Sequence, residues 1–330
     1  MKNKLKIIFI ILIVLSGFVF YHSRKDDINL AKELESIDGA NLKSTSNSSV
    51  WSYVFPFLKS DFQKKIERGE SVTFLLLGYG GEGHSGAYLT DTMILGRMNF
   101  GTGEVTLMNL PRDLWVQGQK LNVYYAVSQD GAKVADTLAD LLDIPIDYYV
   151  GIDFDGFREA VDELGGLDIY VETTFDDYQY PRHDNDQVDA GVMAIHFDEG
   201  WEKMNGERSL QYARSRYSLE DGGDYNRAKR QQKVIQAFKD KALETRDIRV
   251  LFNVMKLVTD HFETDFPYVE GLSVYQYITK NQIQTKSKIL SEENYLYSTY
   301  NEEGSFILLP KDNDWSAIKD YFNAESENLP

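Results

Sequence analysis

The sequence predicts an α/β fold, because short apolar runs alternate with amphipathic stretches from Val72 onwards. The runs VTFLLLG, TMILGRMN and EVTLMNL have the length of buried strands, and DYYVGI and LDIYVE resemble them. The segments ADTLADLL and FDGFREAVDEL carry helical spacing, and a long helix is expected at about Tyr225 to Leu243 with Asp224 as its N-cap. No linker interrupts the alternation, so residues 70–325 are predicted to form one domain.

The composition indicates a folded, acidic protein. Of the 330 residues, 42% are apolar and 26% are charged, which suffices for a full core. A net charge of −17 makes nucleic acid a poor partner, because phosphate binding requires a basic face. The sequence contains no cysteine, which excludes disulfides and thiolate metal sites.

The N-terminus is predicted to anchor the chain in a membrane. Three lysines within residues 1–6 precede a charge-free run that reaches Tyr21, close to the roughly 20 apolar residues that a helix needs to cross a bilayer. The run ends in FVFYH, without the small residues of a signal-peptidase site. An uncleaved anchor at residues 7–23 is therefore favoured over a cleaved signal peptide or a buried core helix. Because the lysines stay inside, we expect residues 1–6 in the cytoplasm and the domain outside it, at the cell membrane.

Polar segments are predicted on either side of the domain. Residues 24–69 are interpreted as an extracytoplasmic stalk, since stretches such as STSNSS cannot bury enough apolar area to offset their ordering entropy. Within them, residues 51–58 (WSYVFPFL) suit either the membrane interface or docking on the domain. Residues 326–330 are expected to form a short tail.

A glycine-rich loop follows the first predicted strand. Gly78, Gly80 and Gly83 match the GxGxxG pattern of dinucleotide-binding folds. In those folds the glycines open a helix, whereas here the loop continues into the strand-like TMILGRMN. A mobile loop with positive-φ positions is therefore the favoured interpretation, and such a loop can border an active site.

A hairpin is predicted to bring Asp91 and Arg112 together. TMILGRMN and EVTLMNL are separated by the turn-rich residues FGTG, and pairing across this turn places Asp91 opposite Arg112. The pair would then lie beside the glycine-rich loop. The alternative is an ordinary surface ion pair.

Several arginines stand out in this acidic chain. Arg214 and Arg216 point to one side if their segment is extended, where both can grip phosphate oxygens, and diverge if it is helical. Arg227 and Gln231 lie four residues apart on the core-facing stripe of the long helix. Burying these polar side chains there costs free energy unless they have an anionic partner. The alternatives are an anion site or pairing with nearby acids, namely Glu220, Asp221 and Asp224.

These motifs together resemble the LytR-CpsA-Psr family of cell-wall phosphotransferases. LTDTMIL, LMNLPRDLWV, VDELGGLDIYV, NGERSLQYARSR and GDYNRAKRQQ occur in the order and approximate spacing of that family, and the resemblance covers about residues 72–325. The resemblance implies an α/β/α sandwich with a central mixed β-sheet, a hydrophobic tunnel for a polyprenyl chain, and Mg²⁺ at the pyrophosphate. It also implies transfer of a phosphoglycan, such as teichoic acid or capsule, from a polyprenyl-pyrophosphate carrier to peptidoglycan.

The family's functional residues are carried over by position. Asp91 resembles the metal-binding aspartate and Arg112 the arginine of the PRD motif. The paired catalytic arginines, and the pyrophosphate-binding arginine and glutamine of the last motif, correspond to Arg214, Arg216, Arg227 and Gln231. Arginines and a metal suit this chemistry, because pyrophosphate cleavage concentrates negative charge. Asp91 can hold the metal or take the proton of the acceptor hydroxyl.

The chain departs from the family at one position. Tyr79 stands where the family has a second aspartate, directly after the glycine of the first strand, and Glu82 or His84 is the candidate substitute. This departure keeps two other functions open. One is a hydrolase that releases the glycan, since water can replace the acceptor, and the other is a non-catalytic surface protein that binds lipid-linked glycan.

Overall fold

The computed structural model describes residues 60–84, 86–182, 191–245, 250 and 261–324. The predicted cytoplasmic segment, the membrane anchor, residues 24–59 of the predicted stalk and the predicted tail lie outside these ranges. Within the described ranges, no helix combines the length and the apolar character needed to cross a bilayer.

A six-stranded mixed sheet forms the centre of the fold. In spatial order its strands are β11 (Phe262–Thr264), β6 (Tyr148–Asp153), β1 (Ser71–Tyr79), β2 (Thr90–Asn99), β3 (Glu104–Asn109) and β12 (Gln284–Ile289). The β1–β6 and β3–β12 pairs are parallel, whereas β2 is antiparallel to both its neighbours and β11 is antiparallel to β6. The predicted central mixed sheet is confirmed.

Helices cover both faces of the sheet, because the side chains of β1 alternate between two apolar cores. Phe74 and Leu76 belong to one core, and Leu75 and Leu77 to the other. The first core includes residues of α1 (Asp61–Arg68), α4 (Phe154–Glu163), α5 (Gly206–Arg214), α6 (Gly223–Glu244) and α7 (Tyr268–Lys280). The second includes residues of α2 (Val123–Ser128), α3 (Gly131–Leu142) and α8 (Trp315–Asn323).

Two-stranded antiparallel ribbons flank the main sheet. They pair β4 (Trp115–Val116) with β5 (Gln119–Lys120), β7 (Leu167–Val171) with β10 (Gly200–Met204), β8 (Phe175–Pro181) with β9 (Val192–Phe197), and β13 (Leu296–Tyr300) with β14 (Phe306–Pro310). The β7–β10 ribbon packs beside α6, where it borders a groove considered below.

The folded part begins earlier than the predicted boundary at residue 70. Helix α1 lies in the last part of the predicted stalk, and the Ser60 hydroxyl caps it by accepting from the Gln63 amide. Phe62 is buried, with its ring 5.4 Å from that of Phe266 and 5.6 Å from that of Phe100. The helix was assigned to the stalk because its two apolar residues, Phe62 and Ile66, are too few to stand out in a polar segment, although both pack against the first core.

Helix α6 begins slightly earlier than predicted. Gly222, not Asp224, occupies the cap position, and Asp224 lies in the first turn of the helix. Its carboxylate is engaged by two arginines, as described below, instead of capping the backbone.

Candidate active site

The β2–β3 hairpin has the predicted register and brings Asp91 to Arg112. Asn99 lies opposite Glu104, and the ladder ends at Asn109, before Arg112 is reached. Arg112 therefore approaches from the loop after β3, and its Nη1 donates to Asp91 Oδ1 at 2.6 Å. The two side chains are only about a quarter exposed, so the contact is not the ordinary surface ion pair.

The two neighbouring arginines reach the same region in different ways. Helix α5 ends at Arg214, and the chain becomes extended at the buried Ser215 before Arg216. Arg214 lies over the ring of Phe154, with its Nε 3.9 Å from Asp91 Oδ2. Arg216 instead directs its Nε to Asp224 at 3.1 Å.

Arg227 and Gln231 are buried on α6, as its apolar stripe predicted. Arg227 is 6% exposed and Gln231 is 7% exposed. The Nη2 of Arg227 lies 3.1 Å from Asp224, whereas its buried Nε finds no hydrogen-bond acceptor among the described residues. Gln231 accepts a hydrogen bond of 3.2 Å from Asn109.

These groups form one electrostatic unit, here called the arginine cluster: Arg112, Arg214, Arg216 and Arg227 with Asp91 and Asp224. Burial lowers the pKa of Arg227 to about 10, and repulsion from Arg216 and Arg112 adds to this effect while Asp224 opposes it. Burial also acts on Arg112, but Asp91 and Asp113 outweigh it and raise the pKa of that guanidinium. The cluster contains four guanidiniums and two carboxylates, so it carries a net positive charge. Both predicted alternatives therefore apply: the arginines pair with nearby acids, and the remaining positive charge can bind an anion.

An apolar pocket adjoins the arginine cluster. It lies between the central sheet and helices α4, α5 and α6, and its apolar lining includes Leu76, Ile94, Val150, Phe157, Val234 and Phe238. Arg214 and Gln231 also line it, so cationic and apolar surfaces are continuous. This arrangement suits an amphiphile with an anionic head and a hydrocarbon tail.

The glycine-rich loop does not form a dinucleotide site. It connects β1 to the antiparallel neighbour β2, as predicted, and opens no helix. Gly81 has a φ of +91°, and a Cβ there would lie 2.9 Å from the Cβ of Asp153. The glycine therefore permits a close approach between the loop and the start of α4.

Tyr79 faces away from the apolar pocket. Its ring is buried in the core on the opposite side of the sheet, 4.7 Å from the ring of Tyr125. Burial raises the pKa of the Tyr79 hydroxyl, and the Tyr125 hydroxyl donates to Glu263 at 2.5 Å. A carboxylate at position 79 would therefore join Glu263 in this core and not Asp91.

The candidate substitutes differ in their surroundings. Glu82 is exposed in the turn of the loop. His84 directs its Nε2 to Asp155, 3.8 Å away, and its ring lies edge-on to Phe154. Across the parts of the chain that the structure describes, no group of three or more His, Cys, Asp or Glu side chains is arranged to hold a metal ion.

Sequence reasoning missed two carboxylates that shape the site. Asp177 is 1% exposed and accepts from the Ser215 hydroxyl at 2.7 Å and from the Arg216 amide at 3.0 Å, which fixes the chain between the paired arginines. Burial acts to raise the pKa of Asp177, but these hydrogen bonds hold it below its ordinary value. Asp153 caps α4, lines the apolar pocket and contacts His261 at 2.9 Å.

Only Asp153 carried a usable sequence signal. It stands between the strand-like DYYVGI and the helical FDGFREAVDEL, which is an N-cap position at the end of a strand. Asp177 lies in a polar run with no comparable spacing.

Comparison with known proteins gives a consistent assignment. The sequence matches the family model described as LytR_cpsA_psr family over residues 31–321. It is 28% identical over 298 residues to polyisoprenyl-teichoic acid–peptidoglycan teichoic acid transferase TagV of Bacillus subtilis, covering 87% of this chain and 69% of TagV. It is 30% identical over 213 residues to the transferase of that type named TagU in Enterococcus faecalis, covering 62% of this chain and 65% of TagU.

The fold is also shared with solved structures. The crystal structure of protein gbs0355 from Streptococcus agalactiae has a TM-score of 0.61 and 26% sequence identity, covering 78% of this chain and 89% of that one. The match to the family model spans most of the sequence and includes every residue of the arginine cluster. The chain belongs to the LytR-CpsA-Psr family.

Proposed function

We propose that this protein transfers a phosphoglycan, of the teichoic acid or capsule type, from a polyprenyl-pyrophosphate carrier to peptidoglycan. The observation that carries the proposal is the junction between the arginine cluster and the apolar pocket, where Arg214 belongs to both. A pyrophosphate at the cluster places its hydrocarbon tail in the pocket. The names of TagV and TagU, teichoic acid transferases to peptidoglycan, support the same reaction.

The reaction uses the positive charge of the cluster. The acceptor hydroxyl oxygen attacks the phosphorus that carries the glycan, the bond from this phosphorus to the bridging oxygen breaks, and polyprenyl monophosphate leaves. Guanidiniums stabilise the charge that develops on the transferred and leaving phosphates. Asp91 can take the acceptor proton or hold a metal, and it lies between Arg112 and Arg214 in either role.

Mg²⁺ belongs to the proposal as a cofactor that the substrate helps to bind. Asp91 is the one cluster carboxylate for which the family resemblance predicts a metal-binding role, and Mg²⁺ commonly keeps several waters and takes further oxygens from phosphates. When bound, the ion would neutralise charge on the pyrophosphate oxygens. Arg112 and Arg214 would then position the Asp91 carboxylate and the phosphates.

Product analysis tests the proposed reaction. Full-length protein is incubated with a polyprenyl-pyrophosphate glycan and Mg²⁺, with and without peptidoglycan. We expect phosphoglycan covalently attached to peptidoglycan and polyprenyl monophosphate in equal amounts. Free phosphoglycan at the same rate in both reactions would identify a hydrolase instead, and binding without turnover would identify a non-catalytic protein.

We further propose that residues 7–23 anchor the protein in the cell membrane with the catalytic domain outside. The lysine flank and the charge-free run support this topology. Protease added to intact spheroplasts should degrade the domain. Survival of the domain until the cells are lysed would contradict the topology.

A further inference from the structure

A second concavity, here called the groove, lies beside α6 next to the apolar pocket, and Ile235 lines both. Its walls are α6 and the β7–β10 ribbon, and the central sheet contributes Leu107 and Ser287. The groove has a volume of about 560 Å³, within the range of ligand-binding clefts. The shape of the groove does not identify a ligand, but the side chains of its two walls indicate which class of ligand it binds.

One wall presents an exposed aromatic pair. Trp201 and Tyr170 lie directly opposite each other in the β10–β7 ribbon, with ring centroids 5.5 Å apart and an angle of 66° between the rings. Trp201 is 76% exposed and Tyr170 is 43% exposed. Neither ring belongs to the apolar cores, so the ribbon holds both ring surfaces available to a ligand.

The facing wall is polar. Helix α6 contributes Lys229, Gln232, Lys233 and Gln236. The Lys233 ammonium lies 2.8 Å from Glu172, and the amides of Gln232 and Gln236 donate to Asn109 and Asp240, so the hydroxyls of a ligand would join an existing polar network. A sugar ring satisfies both walls, because its C–H face packs on an aromatic ring while its hydroxyls donate to and accept from amides and charged groups. We propose that the groove binds uncharged sugar residues of a glycan strand.

Charge and position indicate which glycan. Three acids, Asp168, Glu172 and Asp240, line the groove with two lysines, so a polyanion such as a teichoic acid is not favoured there. Asn109 donates to Gln231 of the apolar pocket and accepts from Gln232 of the groove at 2.7 Å, so the two sites share one polar connection. The inference rests on the proposed function and assigns the groove to the peptidoglycan acceptor, not to the donor glycan.

Binding experiments with the full-length protein test this assignment. The probes are peptidoglycan glycan strands freed of teichoic acid, and free teichoic acid polymer as the polyanionic alternative. Trp201→Ala should weaken binding of the glycan strands by roughly tenfold, and Tyr170→Ala by less, since central aromatic contacts dominate binding sites. Tyr300→Ala, which removes a ring that is 70% exposed on a different ribbon, should leave binding unchanged.

The outcomes separate this inference from the proposed function. The groove assignment would be overturned if Trp201→Ala bound glycan strands as well as the wild type does. It would also be overturned if the groove bound teichoic acid more tightly than glycan strands. Either result would leave the transferase proposal intact. If the wild-type protein transfers no phosphoglycan, the transferase proposal fails whatever the groove binds. Arg214→Ala should lose turnover while it retains binding of glycan strands, which separates the arginine cluster from the groove.

Discussion

Replacing Arg214, Arg216 or Arg227 by alanine should lower turnover of the polyprenyl-pyrophosphate glycan by on the order of a hundredfold or more for each variant. The three guanidiniums are positioned by separate elements, namely the end of α5, the loop after it and the first turns of α6. We therefore expect each to contact a different part of the pyrophosphate, so that none can replace another. The measurement is single-turnover release of polyprenyl monophosphate.

Two control variants distinguish loss of charge from loss of fold. Arg208→Ala lies on the same helix as Arg214, but its guanidinium pairs with Glu202 at 2.6 Å and covers Phe197, outside the arginine cluster. It should keep near wild-type turnover. Arg214→Lys keeps the charge but loses the planar fork, so its rate should fall between those of wild type and Arg214→Ala.

Thermal unfolding and far-ultraviolet circular dichroism should show that the alanine variants remain folded. Arg227→Ala removes a buried side chain that pairs with Asp224, so some stability should be lost, but Asp224 keeps its contact with Arg216 and the variant should remain folded. The phosphate-binding assignment would be contradicted if folded variants at all three positions turned over substrate at wild-type rates.

The sequence carried enough information to locate much of the site. Hairpin register follows from the turn, so the meeting of Asp91 and Arg112 was predictable before any coordinates. The burial of Arg227 and Gln231 followed from the apolar stripe of α6. The length of the turn determines the hairpin register, and the helical spacing of apolar residues determines which side chains of α6 are buried.

The remaining features depend on tertiary packing that no local pattern encodes. Asp177 reaches the loop between Arg214 and Arg216 only because the β8–β9 ribbon packs against it. The alternation of side chains along β1 predicts that Tyr79 lies on the same face as Leu75 and Leu77. The sequence does not show which face of the sheet carries the active site, because that depends on how the helices pack. Likewise, the exposed Trp201 and Tyr170 meet only through the long-range β7–β10 pairing.

Asp91→Ala should abolish metal-dependent turnover, because Asp91 is the cluster carboxylate assigned to Mg²⁺ or to the acceptor proton. Mg²⁺ needs few protein ligands when phosphates supply oxygens, so the free protein should bind the metal weakly and more tightly once lipid pyrophosphate is present. The measurement is turnover against Mg²⁺ concentration, with metal binding measured in the presence and absence of the lipid. Unchanged metal dependence in Asp91→Ala would exclude the proposed site.

Two loop variants determine whether the glycine-rich loop adds a ligand. Glu82 is an oxygen donor suited to Mg²⁺, and Glu82→Ala should raise the Mg²⁺ concentration needed for half-maximal turnover. His84→Ala should leave this concentration unchanged, because His84 is directed to Asp155 and an imidazole favours transition metals. If neither variant shifts the Mg²⁺ requirement while Asp91→Ala does, the protein supplies a single carboxylate and the substrate completes the site. A shift in His84→Ala alone would contradict this arrangement, since it would require the ring to turn from Asp155 towards the metal.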